Sequence, residues 1–99
     1  MASIYRNISN ALTIQLIQPG GNAEVSSIWL TNIHASDAVT VDLYLEKKLK
    51  GKFYLLKGKS IANASYLLLE GIGFNNKSKE FGLYIKLNAA DSAVDVIIK

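Results

Sequence analysis

Hydrophobic and polar residues alternate along most of this chain with a period of two. The stretch that organises the rest is Ala23 to Glu46, AEVSSIWLTNIHASDAVTVDLYLE. In its second half Val39, Val41, Leu43 and Leu45 alternate with Thr40, Asp42, Tyr44 and Glu46. That spacing puts four aliphatic side chains on one side of a strand and the polar groups on the other. The first half carries Val25, Ile28, Trp29, Leu30 and Ile33, and its alternation slips between Val25 and Ile28. The slip fits either a bulge or a strand covered on both faces. The joint Ala35-Ser36-Asp37-Ala38 is too short for a helical crossover and suits an antiparallel connection. The pattern therefore predicts a central hairpin, with Trp29 as its largest core residue.

The same reading extends in both directions. Ile4 to Ile8 is short, an N-terminal arm (residues 1–9) or an edge strand, and Leu12, Ile14 and Leu16 mark the first firm strand. Pro19-Gly20-Gly21-Asn22 ends it, because proline presets a turn and glycine permits positive φ. Past the central stretch, Lys47 to Gly51 connects to a strand at Lys52 to Leu56, and Gly58-Lys59-Ser60 reads as the next turn. Ile61 to Ala64 bridges to an apolar strand within Ser65 to Glu70. Gly71, Gly73 and Asn75 to Lys79 mark a long polar loop with Phe74 turned back to the core. Phe81, Leu83, Ile85 and Leu87 form a clean strand, Asn88 to Ser92 a turn, and Val94, Val96 and Ile98 the last strand. Helical periodicity fits nowhere convincingly; its best candidate is Ala62 to Glu70. About seven to eight short strands at spacings near ten residues predict an all-β fold, an antiparallel two-sheet β-sandwich of immunoglobulin-like or jelly-roll type.

Ninety-nine residues make one domain, in which roughly 60–65% of the unfolded surface is buried. A hydrophobic content of 49% against 19% charged residues is high for so small a unit. The surplus apolar area points to oligomerisation or to a place in a larger assembly. With no cysteine, disulfides and thiolate metal sites are excluded. The start Met1-Ala2-Ser3-Ile4-Tyr5-Arg6 lacks a basic segment followed by an apolar run, and no stretch reaches the roughly 18 apolar residues of a membrane helix. The expectation is cytoplasmic synthesis, a soluble product and no membrane partner. The net charge of +3 is uneven, because Lys47, Lys48, Lys50, Lys52, Lys57 and Lys59 supply six of the eleven basic residues.

Candidate chemistry changes this picture little. His34 is the one histidine, and without cysteine or a carboxylate cluster near it in sequence it makes neither a metal site nor a triad. The eight carboxylates are scattered, where glycoside hydrolysis needs two across a cleft. Gly71-Ile72-Gly73 lacks the third glycine and the strand–helix setting of a dinucleotide fingerprint. Asn7-Ile8-Ser9, Asn63-Ala64-Ser65 and Asn76-Lys77-Ser78 match the N-glycosylation pattern by coincidence in a chain with no secretory signal. No catalytic residue, cofactor or metal is expected. The lysine pole with Phe53 and Tyr54 inside it has the composition of a single-strand nucleic-acid groove. It has no arginine to read base edges, and lysines beside a hydrophobic strand also guard an edge against unwanted pairing. The reading preferred is a solvated or partner-facing pole made of Lys47, Lys48, Lys50, Lys52, Tyr54, Lys57 and Lys59.

One resemblance adds to this. The order of an apolar strand, a Pro-Gly-Gly turn, S-S-I-W-L-T-N, a polar joint and A-V-T-V-D-L-Y-L resembles a pattern in small β-sandwich structural proteins of tailed bacteriophages, especially phages of marine bacteria and the cyanophage type. F-Y-L-L-K and S-I-A-N-A-S-Y-L-L-L-E-G are similar to the middle of that pattern, and F-G-L-Y-I-K-L-N-A-A-D-S-A-V-D-V-I-I-K resembles its closing hairpin. The likeness spans roughly residues 10 to 99. It departs where such proteins carry a proline in the bridge and a Gly-Asp turn, here Ala62-Asn63 and the loop Asn75 to Ser78. The resemblance implies a non-enzymatic virion component: a capsid decoration or cement protein, or a head–tail or tail accessory part. Its partners would be other virion proteins, with the chain a homo-oligomer or lattice-bound and located in the virion. Two alternatives stand beside it. One is a carbohydrate-binding host-recognition module using Tyr5, Tyr44, Tyr54, Tyr66 and Tyr84. The other is nucleic-acid binding by the lysine pole.

Overall fold

The computed structural model describes residues 3–19, 24–47, 49–76 and 80–99. Every regular element among them is a strand: β1 (Ile4–Ile8), β2 (Ile14–Ile17), β3 (Glu24–Val25), β4 (Ile28–Asn32), β5 (Val39–Lys47), β6 (Gly51–Ile61), β7 (Tyr66–Leu69), β8 (Phe74–Asn75), β9 (Phe81–Leu87) and β10 (Val94–Ile98). Among these residues no helix is long and apolar enough to cross a membrane. Two four-stranded antiparallel sheets form, sheet A in the order β1-β10-β4-β7 and sheet B in the order β2-β9-β5-β6, while β3 pairs with β8 in a separate ribbon. Of the links between consecutive strands, only β5 to β6 stays within one of the large sheets. That interleaving is the jelly-roll order, and it decides between the two sandwich types left open by the sequence.

The register explains why the layers close. In sheet A, Ile4, Ile98, Ile28 and Leu69 lie side by side, as do Val96, Leu30 and Leu67, and then Ile8, Val94 and Asn32. In sheet B the matching rows are Ile14, Ile85, Leu43 and Leu56, then Leu83 with Leu45, then Leu87 with Val41. These rows face each other in one apolar core, where Ile28, Leu30, Val41, Leu43, Ile85 and Ile98 lose all solvent contact. Fully burying each such side chain stabilises the fold by about 1.5–3 kcal/mol.

Several expectations are corrected. β4 and β5 do not form a hairpin: β4 is flanked by β10 and β7, and β5 by β9 and β6, so neither has a free edge for the other. The joint between them instead carries the chain from sheet to sheet. Asn32, fully buried at its start, ties it down by donating to the carbonyls of Asp37 and Ile61 and accepting from the His34 N–H, each at 3.0 Å. Trp29 is not a core residue, because Ile28 and Leu30 hold the inward parity and Trp29 stands on the solvent face. The slip between Val25 and Ile28 is a break between two strands, β3 and β4. Leu12 lies outside β2 and is 69% exposed; a register shift between Gln15 and Ile17 accompanies burial of both Leu16 and Ile17.

Gly58-Lys59-Ser60 is not a turn but the interior of an 11-residue strand. Gly58 adopts φ +64° at a register shift opposite Asp42, whose carboxylate accepts the Gly58 N–H at 2.7 Å. A glycine takes that left-handed geometry without the steric cost a side chain incurs. Ala62 to Glu70, the best helical candidate, holds a turn and β7. Within the N-terminal segment, β1 is an edge strand paired along its whole length with β10. Phe74 does turn back to the core, with its ring edge-on to Phe81 at 5.8 Å. The glycines of the Pro-Gly-Gly turn, and Lys77 to Lys79 of the long loop, lie outside the described residues.

Candidate functional site

Each sheet presents an outer face, and the two differ in chemistry. On sheet B, Gln15, Tyr84, Tyr44 and Tyr54 lie in one cross-strand row. Tyr44 stacks on Tyr84 with centroids 5.5 Å apart and tilts against Tyr54 at 5.3 Å. The Gln15 side-chain amide donates to the Tyr84 hydroxyl at 3.2 Å. Lys52 places its ammonium 4.9 Å from the Tyr44 ring centre, and Lys57 places its own 4.8 Å from that of Tyr54. Lys57 also pairs with Asp42 at 3.5 Å. The Asp42 carboxylate, and then Tyr54, raise the Lys57 pKa above its ordinary value. Such self-contacts stabilise the sheet surface and leave little ring area for a ligand. The tyrosines that composition offered as sugar platforms are, for Tyr44 and Tyr84, partners of one another.

The partner-facing residues named from sequence fall on β5, β6 and the turn between them. Lys47 is paired with Glu80 at 3.1 Å and sits 5.8 Å from the centre of the Phe81 ring. Lys52 lies opposite Glu46 in register. Lys52, Tyr54 and Lys57 share the outer face; Lys50 and Lys59 are exposed, and Lys48 lies outside the described residues. Asp42, Glu46 and Glu80 thus dilute the basic pole from the neighbouring strands, which weakens it as a polyanion groove. The hairpin also carries apolar residues outward. Leu49, in its turn, is 94% exposed and adopts φ +65°, while Phe53 and Tyr54 are 52% and 43% exposed.

On sheet A the outer face sets one apolar row beside a mostly polar one. Tyr5, Ile97, Trp29 and Leu68 form one row across all four strands, and Asn7, Asp95, Thr31 and Tyr66 the next. Trp29 stacks on Tyr66 at 4.5 Å with 13° between the planes. Its indole N–H donates to Thr31 Oγ1 at 2.9 Å, and the Asn7 amide donates to Asp95. Reasoning by size put Trp29 inside. The signal for its true place was parity, since Ile28, Leu30 and Asn32 are the alternate positions of β4.

His34 is not without carboxylates, as its sequence neighbourhood suggested. The fold brings Asp91 to 3.3 Å and Asp37 to 4.0 Å from His34 Nε2. These three could in principle hold an ion. However, His34 Nδ1 already accepts the N–H groups of Ser36 and Asp37 at 3.1 and 3.0 Å. The ring proton therefore belongs on Nε2, where it points at Asp91 and occupies the lone pair a metal would need. The trio locks the β4–β5 joint.

No family model matches the chain, and no curated protein matches it. Among solved structures, the Yersinia pseudotuberculosis-derived mitogen (YPM) is similar with a TM-score of 0.47 and 14% identity, covering 98% of this chain and 81% of that one. At that distance no activity is carried over to this chain.

Proposed function

We propose that this chain is a non-enzymatic structural component of a bacteriophage particle, a capsid decoration or head–tail accessory protein held to neighbouring virion proteins by its β5–β6 hairpin. The observation that carries the docking role is Leu49. An aliphatic side chain that is 94% exposed at a hairpin tip, in a left-handed backbone conformation, gains nothing from the fold around it. That conformation costs about 1–2 kcal/mol for a residue other than glycine. A residue kept under strain with its side chain in water is suited to contact with something else. Lys50, next to it in the turn, is also exposed and sets a positive charge beside the aliphatic side chain. The phage assignment is supported by the sequence resemblance alone.

The test is direct. Particles of a phage encoding the chain are purified, and its copy number is measured by mass spectrometry against the major capsid protein and the portal. The expected result is incorporation at many copies, tracking the capsid protein for a decoration role or the portal for a tail role. Leu49→Asp should fold normally and fail to incorporate. Absence of the chain from particles, or normal incorporation of Leu49→Asp, would overturn the proposal.

A further inference from the structure

The face of Trp29 turned away from Tyr66 walls a cavity of ≈ 220 Å³ on sheet A. Its construction follows from the register. Ile97 and Leu68 flank Trp29 on the neighbouring strands and form the apolar floor. One step further along the strands, Lys99 and Glu70 flank Ser27 and form the rim. Tyr66, opposite Thr31, lies on the other side of the indole and takes no part in the lining. The indole is thus fixed upright by a stacked ring behind it and by its hydrogen bond to Thr31, with one π face left to the pocket. Neither the Glu70 carboxylate nor the Lys99 ammonium makes an ion pair or side-chain hydrogen bond to another described residue.

From this arrangement we infer a binding site for a single pyranose ring, free or as one unit of a longer glycan. A sugar ring has an apolar C–H face and a periphery of hydroxyls, each both donor and acceptor. The Trp29 face with its aliphatic floor matches the first, and the carboxylate, ammonium and Ser27 hydroxyl match the second. The rim sets the Glu70 carboxylate and the Lys99 ammonium around one opening, so an ion of either sign meets its like charge. An apolar side chain from a protein partner would cover that carboxylate and ammonium without pairing them, which is costly. A neutral polyol satisfies both. The site does not depend on the chain's place in a particle, and it lies on a different sheet from the β5–β6 hairpin.

Trp29 is the chain's one tryptophan, so its emission reports on this wall of the pocket with no other tryptophan contributing. The chain is titrated with D-glucose, D-galactose, D-mannose and N-acetylglucosamine while its fluorescence is followed. At least one sugar should change the emission saturably, and saturation-transfer NMR should place its ring protons against the protein. Glu70→Gln and Ser27→Ala, both near the surface and expected to melt like the parent, should weaken binding about tenfold for the carboxylate and less for the hydroxyl. Trp29→Phe should abolish the NMR effect, and Leu49→Asp should leave the titration unchanged. A flat response to all four sugars, or undiminished binding by Glu70→Gln, would overturn the inference. So would shielding of Trp29 by purified coat proteins in the absence of any sugar response, which would make the pocket a protein contact.

Discussion

Replacing Asn32 with alanine should cost this domain a large part of its stability. The side chain is fully buried and joins two inter-sheet links at one end of the sandwich, the β4–β5 joint through Asp37 and the end of β6 through Ile61. Its carbonyl also receives the His34 N–H. A neutral hydrogen bond is worth about 1 kcal/mol net, and a buried partner left unpaired costs about 1–3 kcal/mol. The Ile61 carbonyl bears that penalty in full, because its bond to Asn32 is buried, whereas the other two bonds are only partly so and water can replace them. The expected loss is about 3 kcal/mol, a drop of about 12–24 °C in Tm for a domain of this size. Asn32→Asp sharpens the point. It keeps the shape but aims a carboxylate at two carbonyl oxygens, so it should cost more than Asn32→Ala although no cavity forms. Urea unfolding followed by far-ultraviolet circular dichroism and by Trp29 emission would measure both. A loss under about 1 kcal/mol for the alanine variant, or an aspartate variant as stable as the alanine one, would refute the role given to this side chain.

Other consequences can be checked on the same protein. Leu49→Gly relieves the left-handed conformation at the hairpin tip and should stabilise the fold by about 1 kcal/mol while weakening docking; equal or lower stability would count against strain there. The raised Lys57 pKa means that its favourable contribution is complete below the ordinary value of 10.5 and fades as pH climbs through the higher folded value. An NMR titration of the Lys57 side chain should therefore show a lower pKa in Asp42→Asn, and an unchanged one would exclude the Asp42 carboxylate as the cause. Gly82→Ala would bring a methyl group to 2.7 Å from the Tyr84 hydroxyl. It should tilt that ring off Tyr44, alter the near-ultraviolet dichroism and cost about 1–3 kcal/mol. Tyr66→Ala should remove about 0.5–1.5 kcal/mol of stacking and shift Trp29 emission to the red; an unshifted spectrum would mean the two rings do not touch in solution.

Strand identity was legible wherever alternation was strict. Val39 to Leu45, Phe81 to Leu87 and Val94 to Ile98 fell on β5, β9 and β10 because one face of each meets the core. Pairing was not legible, since a period of two says which side is buried but not which strand lies alongside. The joint at Ala35 to Ala38 has hairpin length, and only the crowding of β4 and β5 on both edges makes it an arch between sheets. Gly58 looked like a turn because a strand bulge and a turn both call for positive φ. The lysines read as one pole are spread, among the described residues, from the turn at Lys50 to Lys59 near the far end of β6, and Asp42 and Glu80, which partner two of them, come from β5 and from the approach to β9. The sheet A pocket was hidden for the same reason. Ser27, Glu70 and Lys99 lie just past the ends of three strands far apart in sequence, and Trp29 invited a core assignment by its size.

The strand order of sheet A also governs how the molecule can be made. β1 emerges before the rest of this sandwich, yet its neighbour among the described residues is β10, made after the other nine strands, which must also slot between β1 and β4. A chain still on the ribosome therefore holds its opening segment without a place to go. β4 meanwhile has β7 on one edge and nothing on the other. Assembly should be slow and close to all-or-none, limited by long-range loop closure rather than by any local turn. Until Val94 to Ile98 arrive, the unpaired backbone edges of β1 and β4 are open to neighbouring chains, so crowded synthesis is when this domain is most exposed to aggregation.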